Sequence, residues 1–280
     1  MSLRKSLLPA GWYPQNPDEI AGFLGGFVKT TGVAQAAIAP HAGWSYSGRI
    51  AAGAVAGLDR KAETLAVIGG HLPAGRKPLF AMEDAARTPL GDMQMDTELR
   101  TAMLGETDWQ EDGFRDGRVD NTVEVLLPMA RFFLPAASLL WMRLPSDISS
   151  FAVGKALAAA AQRLGRQLAV LASADLTHYG RGFGFAPMGT GPEALRWVRE
   201  VNDRRFIEAV ESGDPAAVLE RAEKDLSSCS AGAVAGAMGF AQALGLGPAR
   251  LLEYGTSADA ENASEPPGSF VGYAAFVFGG

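Results

Sequence analysis

Apolar positions along the chain fall into two kinds of run. Short, apolar stretches recur at Val33–Ala39, Thr64–Gly70, Ser138–Leu144, Gln167–Ser173, Arg250–Tyr254 and Phe270–Phe278. Most are apolar at odd and even positions alike, so both faces need cover and the strands belong inside a sheet. Between them lie longer stretches with helical spacing: Asn16 toward Val28, Gly48–Leu58, Asp96–Leu104, Asn121–Phe133, Ser149–Leu164, Pro192–Ser212 and Pro215–Lys224. The first opens on Asn16-Pro17-Asp18-Glu19, a capping residue, a proline at the first helical position and acids in the first turn. This alternation predicts an α/β fold, a mostly parallel or mixed central sheet flanked by helices. No break in composition divides the chain, so residues 1–280 read as one domain with residues 1–9 as an N-terminal tail.

The uncharged run from Leu226 to Ala249 changes the picture least of all, despite its length. It is rich in glycine, serine and alanine and poor in Leu, Ile and Phe. It therefore reads as a buried helix packed closely through Gly232 and Gly236, not as a membrane span. No apolar leader follows Met1, which with the rest points to a cytoplasmic protein with no membrane partner. Hydrophobic residues make up 48% of the chain and charged residues 20%, ample for a buried core. The net charge is −6 and no Lys/Arg cluster occurs, which excludes nucleic acid as a main partner. The lone Cys229 excludes an internal disulfide and suits a reducing compartment.

The candidate chemistry sits at strand ends. All three histidines follow predicted strands: His41 after Ala36–Pro40, His71 after Leu65–Gly70, and His178 after Leu168–Ser173. In an open α/β sheet the loops beyond the carboxyl ends of the strands converge on the ligand. Any one histidine there can simply cap a turn, but three together point to a site. Cys229 precedes the Gly/Ala helix, whose N-terminus would favour a thiolate; the alternative is an inert buried thiol. Two imidazoles and a thiolate suit a transition metal, although the spacing is no local metal motif. Asp175 lies three residues before His178, close enough to orient it as a general acid/base, or else to cap the turn. Asp120 reads as an N-cap and Glu124 as a solvated helix residue. Gly180–Gly184 reads as a mobile rim or lid beside the His178 turn.

Five segments in order carry a resemblance: Ala10–Pro14, Ala39-Pro40-His41-Ala42-Gly43-Trp44-Ser45-Tyr46-Ser47-Gly48, Arg87–Asp92, Val123–Pro128 and Ser173-Ala174-Asp175-Leu176-Thr177-His178-Tyr179. Together they resemble the Memo family, called AmmeMemoRadiSam system protein B in many bacteria and archaea. That family is similar in fold to the class III extradiol dioxygenases, non-haem iron enzymes of one α/β domain. The resemblance implies that His41, His71 and Cys229 are metal ligands and that Asp175 and His178 are the catalytic pair. It also implies a thiolate where the dioxygenases have a carboxylate. The chain departs from the family pattern at Gly69-Gly70-His71, one residue short, and at Asn121, where a histidine is usual.

These observations imply a metal-dependent redox or dioxygenase-like oxidoreductase, with iron or copper as the ion and zinc as the alternative, acting on a small-molecule or peptide ligand. A second reading is a non-catalytic binding or accessory protein whose pocket takes a peptide or a radical-SAM partner. A metal-dependent hydrolase is a third.

Overall fold

The computed structural model describes residues 2–113, 119–260 and 268–279. In chain order its strands are β1 (Leu3–Arg4), β2 (Ala36–Ala39), β3 (Thr64–Leu72), β4 (Leu79–Phe80), β5 (Ala85–Ala86), β6 (Met93–Gln94), β7 (Gln110–Glu111), β8 (Ser138–Pro145), β9 (Leu168–Ser173), β10 (His178–Gly180), β11 (Arg250–Thr256) and β12 (Ser269–Phe278). The helices are α1 (Pro17–Leu24), α2 (Trp44–Gly57), α3 (Thr97–Glu106), α4 (Leu127–Phe133), α5 (Ser149–Arg163), α6 (Pro192–Trp197), α7 (Asp203–Ser212), α8 (Pro215–Asp225), α9 (Ala231–Ala243) and α10 (Ser257–Ala260).

Four parallel strands in the order β2-β9-β3-β8 form the centre of a mixed sheet. β12 extends it antiparallel beyond β2 and itself pairs with β10 and β11, while β4 and β7 lie beyond β8. Alternate residues of each central strand enter two separate cores. Ala37, Val67, Trp141 and Leu171 point to the core shared with α1, α2 and α4. Ile38, Ile68, Met142 and Val170 point to the core shared with α5, α7 and α9. This two-faced burial is why the strands read as apolar at every position. No helix among the described residues is long and apolar enough to cross a membrane.

Some expectations about the elements need correction. The first nine residues are not a loose tail throughout: β1 pairs with β5 in a small second sheet, and Arg4 is buried. α2 begins at Trp44, four residues before the expected start, because Gly43 can serve as its cap while the Trp44 N–H donates to the Trp12 carbonyl at 2.8 Å. The helix expected from Asn121 starts only at Leu127, after a 3₁₀ turn over Glu124–Leu126. Residues 120–123 are instead held by side chains at the site described below. In the uncharged run only Ala231–Ala243 is helical.

The segment expected as one helix over Pro192–Ser212 carries a π turn, Val198–Asn202, between α6 and α7. At its end two consecutive side chains serve one residue. Asn202 Nδ2 donates to Thr177 Oγ1 at 2.9 Å, and Asp203 accepts from the Thr177 N–H at 3.1 Å and from the Thr177 hydroxyl. The Tyr254 hydroxyl also donates to Asp203, at 2.8 Å. Burial raises the Asp203 carboxyl to about 6 against these donors. A folded-state value above the unfolded one means that the native state holds the extra proton. Its stabilising contribution is therefore present below about pH 4 and is lost as pH rises through about 6. Urea unfolding should show the stability of wild type relative to Asp203→Asn falling by about 1.4 kcal/mol per pH unit in that window and flattening above it. A pH-independent difference would show that Asp203 does not titrate there.

Candidate metal centre

The carboxyl ends of β2, β9 and β3 lie side by side because all three strands run the same way. Ala39 pairs with Ser173, so His41 and Asp175, each two residues further on, emerge next to one another. The His41 N–H donates to Asp175 Oδ1 at 2.7 Å, and Asn121 Nδ2 donates to the His41 carbonyl at 2.9 Å. The His41 ring is 1% exposed, with Nδ1 2.8 Å from Ser173 Oγ. That contact leaves Nε2 facing Cys229 Sγ, 3.3 Å away.

His71 reaches the same point by a bulge. β3 and β8 are in register at Gly69 and Arg143 and again at Leu72 and Pro145, so Gly70 and His71 oppose Leu144 alone. His71 adopts a left-handed φ of 56°, uncommon for a residue with a side chain. The two preceding glycines allow close approach of the neighbouring segments. A Cβ at Gly69 would lie 2.2 Å from Thr122 Oγ1, and one at Gly70 2.3 Å from Ser230. His71 Nδ1 lies 3.2 Å from Asp120 Oδ2, so its Nε2 is the nitrogen left for the centre. Asp120 Oδ1 also accepts from the Thr122 N–H at 3.0 Å, an Asx turn where a helix cap was expected.

Cys229 lies on the loop before α9, fixed by its N–H and the Ser228 hydroxyl, which both donate to the Asp175 carbonyl at 3.3 and 3.0 Å. One ligand atom each from His41, His71 and Cys229 falls within 4.8 Å of the others. Burial raises the Cys229 thiol, but the His41 charge and hydrogen bond and the His71 contacts outweigh it and lower the thiol overall. Burial lowers the His71 imidazole, but its contacts with Asp120 and Cys229 raise it overall. The two shifts describe a thiolate beside an imidazolium. Burial raises Asp120 too, yet the His71 hydrogen bond and the Arg143 charge hold it at about 2.

The structure separates Asp175 from the role expected of it. Its carboxylate holds the His41 backbone, and its Oδ2 lies 3.8 Å from His41 Nε2. His178 Nδ1 donates instead to the Leu176 carbonyl at 3.1 Å, which leaves its Nε2 as the basic nitrogen. Asp175 thus orients His41, while the Leu176 carbonyl orients His178. Burial raises Asp175 to about 6 against the opposing charge of His178 and the His41 N–H. Trp12, Tyr46, Asn121, Asp175, His178 and Phe183 line a cleft of 520 Å³ beside the ligand set. Phe183, from the Gly180–Gly184 segment expected at the rim, meets the His178 ring edge to face at 5.0 Å. Glu124 is not solvated: it is buried and accepts from the N–H groups of Leu7 and Leu8 and from the Tyr13 hydroxyl.

Residues 4–277 match the family described as Memo-like protein. The chain belongs to the Memo-like family. Among Memo-like relatives, an MEMO1 family protein of Methanopyrus kandleri is 30% identical over 252 residues, covering 86% of this chain and 82% of its own. Another, from Methanothermobacter thermautotrophicus, is 31% identical over 245 residues, covering 85% and 82%. A third, from Archaeoglobus fulgidus, is 28% identical over 282 residues and 99% of each chain. In solved structures, an uncharacterized protein of Escherichia coli K12 aligns with a TM-score of 0.44 at 12% identity, over 87% of this chain and 99% of that one.

In this Memo-like chain Gly70 and Asn121 both sit at the centre. Gly70 contributes the close approach to Ser230, and Asn121 holds the His41 backbone and lines the cleft. The sequence did not single out Ser173, nor Asp120 and Arg143 as site residues. Arg143 carried a signal, a charge inside the apolar strand Ser138–Leu144, since a buried charge requires partners.

Proposed function

We propose that this protein holds one transition-metal ion through His41 Nε2, His71 Nε2 and Cys229 Sγ, and that the centre serves redox or oxygenase-like chemistry on a small molecule in the adjoining cleft. One observation carries the reading: one ligand atom from each of His41, His71 and Cys229 lies within 4.8 Å of the others, while each imidazole is tethered through Nδ1, which leaves Nε2 for the ion. Hydrogen bonds of that kind fix the tautomer and direction of a metal-binding imidazole. The lowered thiol of Cys229 supports it further, because a thiolate is the form that binds metal, and His71 would give up its proton on binding. Three protein ligands of soft and borderline character fit iron, copper or zinc.

A bound iron or copper ion supplies electron transfer and an open position for a ligand. The chain's own residues do the rest. Asp175 holds the His41 backbone, Asp120 and Ser173 hold the two rings, and His178 offers Nε2 to a proton on a molecule in the cleft. Phe183 and Trp12 line the same cleft at its rim.

Elemental analysis of protein purified anaerobically without chelator tests the reading. Near-stoichiometric iron or copper supports it, and zinc alone redirects it to hydrolysis. No uptake of any of the three after adding each back overturns it. His178→Ala should keep full metal content because its ring lies outside the ligand set. Lost metal in that variant would make His178 a ligand instead of a proton carrier.

A further inference from the structure

Behind His71 runs a chain of alternating charges that reaches Arg4 and Glu83 beside the small second sheet. Asp120 accepts from Arg143 Nη2 at 3.0 Å, and Arg143 Nη1 lies 3.3 Å from Asp112 Oδ1. Asp112 Oδ2 accepts from Trp141 Nε1 at 2.9 Å and from Arg4 Nη2 at 3.2 Å, while Arg4 Nη1 reaches Glu83 at 3.1 Å. The Arg4 guanidinium also lies over the Trp141 ring at 4.2 Å. Arg143 is the branch point, because its Nε donates to the Gly70 carbonyl at 3.0 Å. One planar fork therefore grips three acceptors: the backbone of the β3 bulge, the carboxylate that holds the His71 ring, and the anchor behind both.

That geometry addresses two costs at His71. A left-handed φ at a residue with a side chain costs on the order of 1 kcal/mol and persists only where the surroundings impose it. A ring that is 34% exposed is otherwise free to rotate away from the centre. The grip on Gly70 holds the first, and the grip on Asp120 holds the second. We infer that Arg143, backed by Asp112, is a positioning residue for the metal centre, locking the bulge and the Asp120 carboxylate so that His71 Nε2 faces Cys229. This rests on the proposed metal reading. A lysine cannot replace it, because a single ammonium on a flexible stem lacks the fork that spans Gly70, Asp120 and Asp112.

The test uses cobalt(II) titration of the full chain, followed by thiolate-to-cobalt absorption, together with imidazole nitrogen NMR of the metal-free protein. Arg143→Met should weaken cobalt binding about 10–100-fold, the range for loss of an outer partner of a ligand. Arg143→Lys, which keeps a charge beside the two aspartates and guards against a variant that fails to fold, should fall between. Both should shift the ring signals of His71 while leaving those of His178 in place, which a general loosening of the fold would not do. Wild-type affinity in folded Arg143→Met, or equal displacement of the His71 and His178 signals, overturns the inference. A wild type that takes up neither cobalt nor iron, copper or zinc overturns the metal reading instead. The His71 signals need no metal and still decide whether Arg143 sets the ring.

Discussion

Replacing Cys229 with serine should strip most of the metal from the purified protein and leave the fold in place. The thiol is the only soft ligand of the set, 3.3 Å from His41 Nε2, and a hydroxyl neither ionises near neutral pH nor matches iron, copper or zinc as a thiolate does. Two imidazoles would remain, too few to hold an ion tightly. Since loss of an outer partner alone costs about 10–100-fold, loss of a direct ligand should exceed about 100-fold. The fold should survive because the loop is anchored by backbone and by Ser228: the Cys229 N–H and the Ser228 hydroxyl both donate to the Asp175 carbonyl. Metal content by elemental analysis, beside thermal unfolding of both proteins, reads the result. Unchanged occupancy at unchanged stability removes Cys229 from the ligand set.

Gly154→Ala should be among the most destabilising single-methyl changes available. α5 and α9 cross there with backbone against backbone: a Cβ at Gly154 would lie 1.9 Å from the Gly236 carbonyl oxygen and 2.9 Å from the Phe240 nitrogen. Neither obstacle is a side chain that can turn aside, so the helices must separate. Gly239 continues the contact, its Cβ position 2.0 Å from the Phe151 carbonyl oxygen, and Gly232 approaches the end of β8 as closely, 2.0 Å from the Pro145 carbonyl oxygen. Overpacking costs typically 1–3 kcal/mol where side chains yield, so about 3 kcal/mol or more is expected here. Gly53→Ala in α2 is the control. Nothing lies within 4 Å of its Cβ position, and alanine there should stabilise by up to about 1 kcal/mol. Denaturant unfolding of both variants makes the comparison. A Gly154→Ala protein as stable as wild type would mean that α5 and α9 can part without loss.

The seating of α9 links these two results. Cys229 lies just before α9, and the small-residue face that seats the helix against α5 also sets how far the Cys229 loop stands from His41. Gly154→Ala should therefore weaken metal binding as well as the fold.

Much of the architecture was legible in the residues. Strands apolar at every position could only be central, and alternation with helices required parallel neighbours, so the carboxyl ends had to share one edge. Three histidines beyond such ends marked that edge before any distance was known. The Memo-like motifs named Asp175 and His178 as a pair. What they could not show was hydrogen-bond partnership. Asp175 and His178 are three residues apart in sequence, yet the chain turns so that the carboxylate meets the His41 N–H while the imidazole meets the Leu176 carbonyl.

Local rules failed where long-range contacts outbid them. Asp120 has the chemistry of a helix cap, and the stretch after it has helical spacing. The structure uses Asp120 for His71, Asn121 for His41 and Thr122 for the Gly70 N–H, so the helix starts only at Leu127. Propensity worth tenths of a kcal/mol per residue yields to three such hydrogen bonds, of which the one between Asp120 and His71 is charge-assisted. Residue pattern alone was enough for the two-faced sheet, the strand ends and the soft and borderline side chains that could hold a metal. Which nitrogen each histidine presents depends instead on Ser173, Asp120 and Arg143, which reach the site from separate strands and loops and meet it in the folded chain alone.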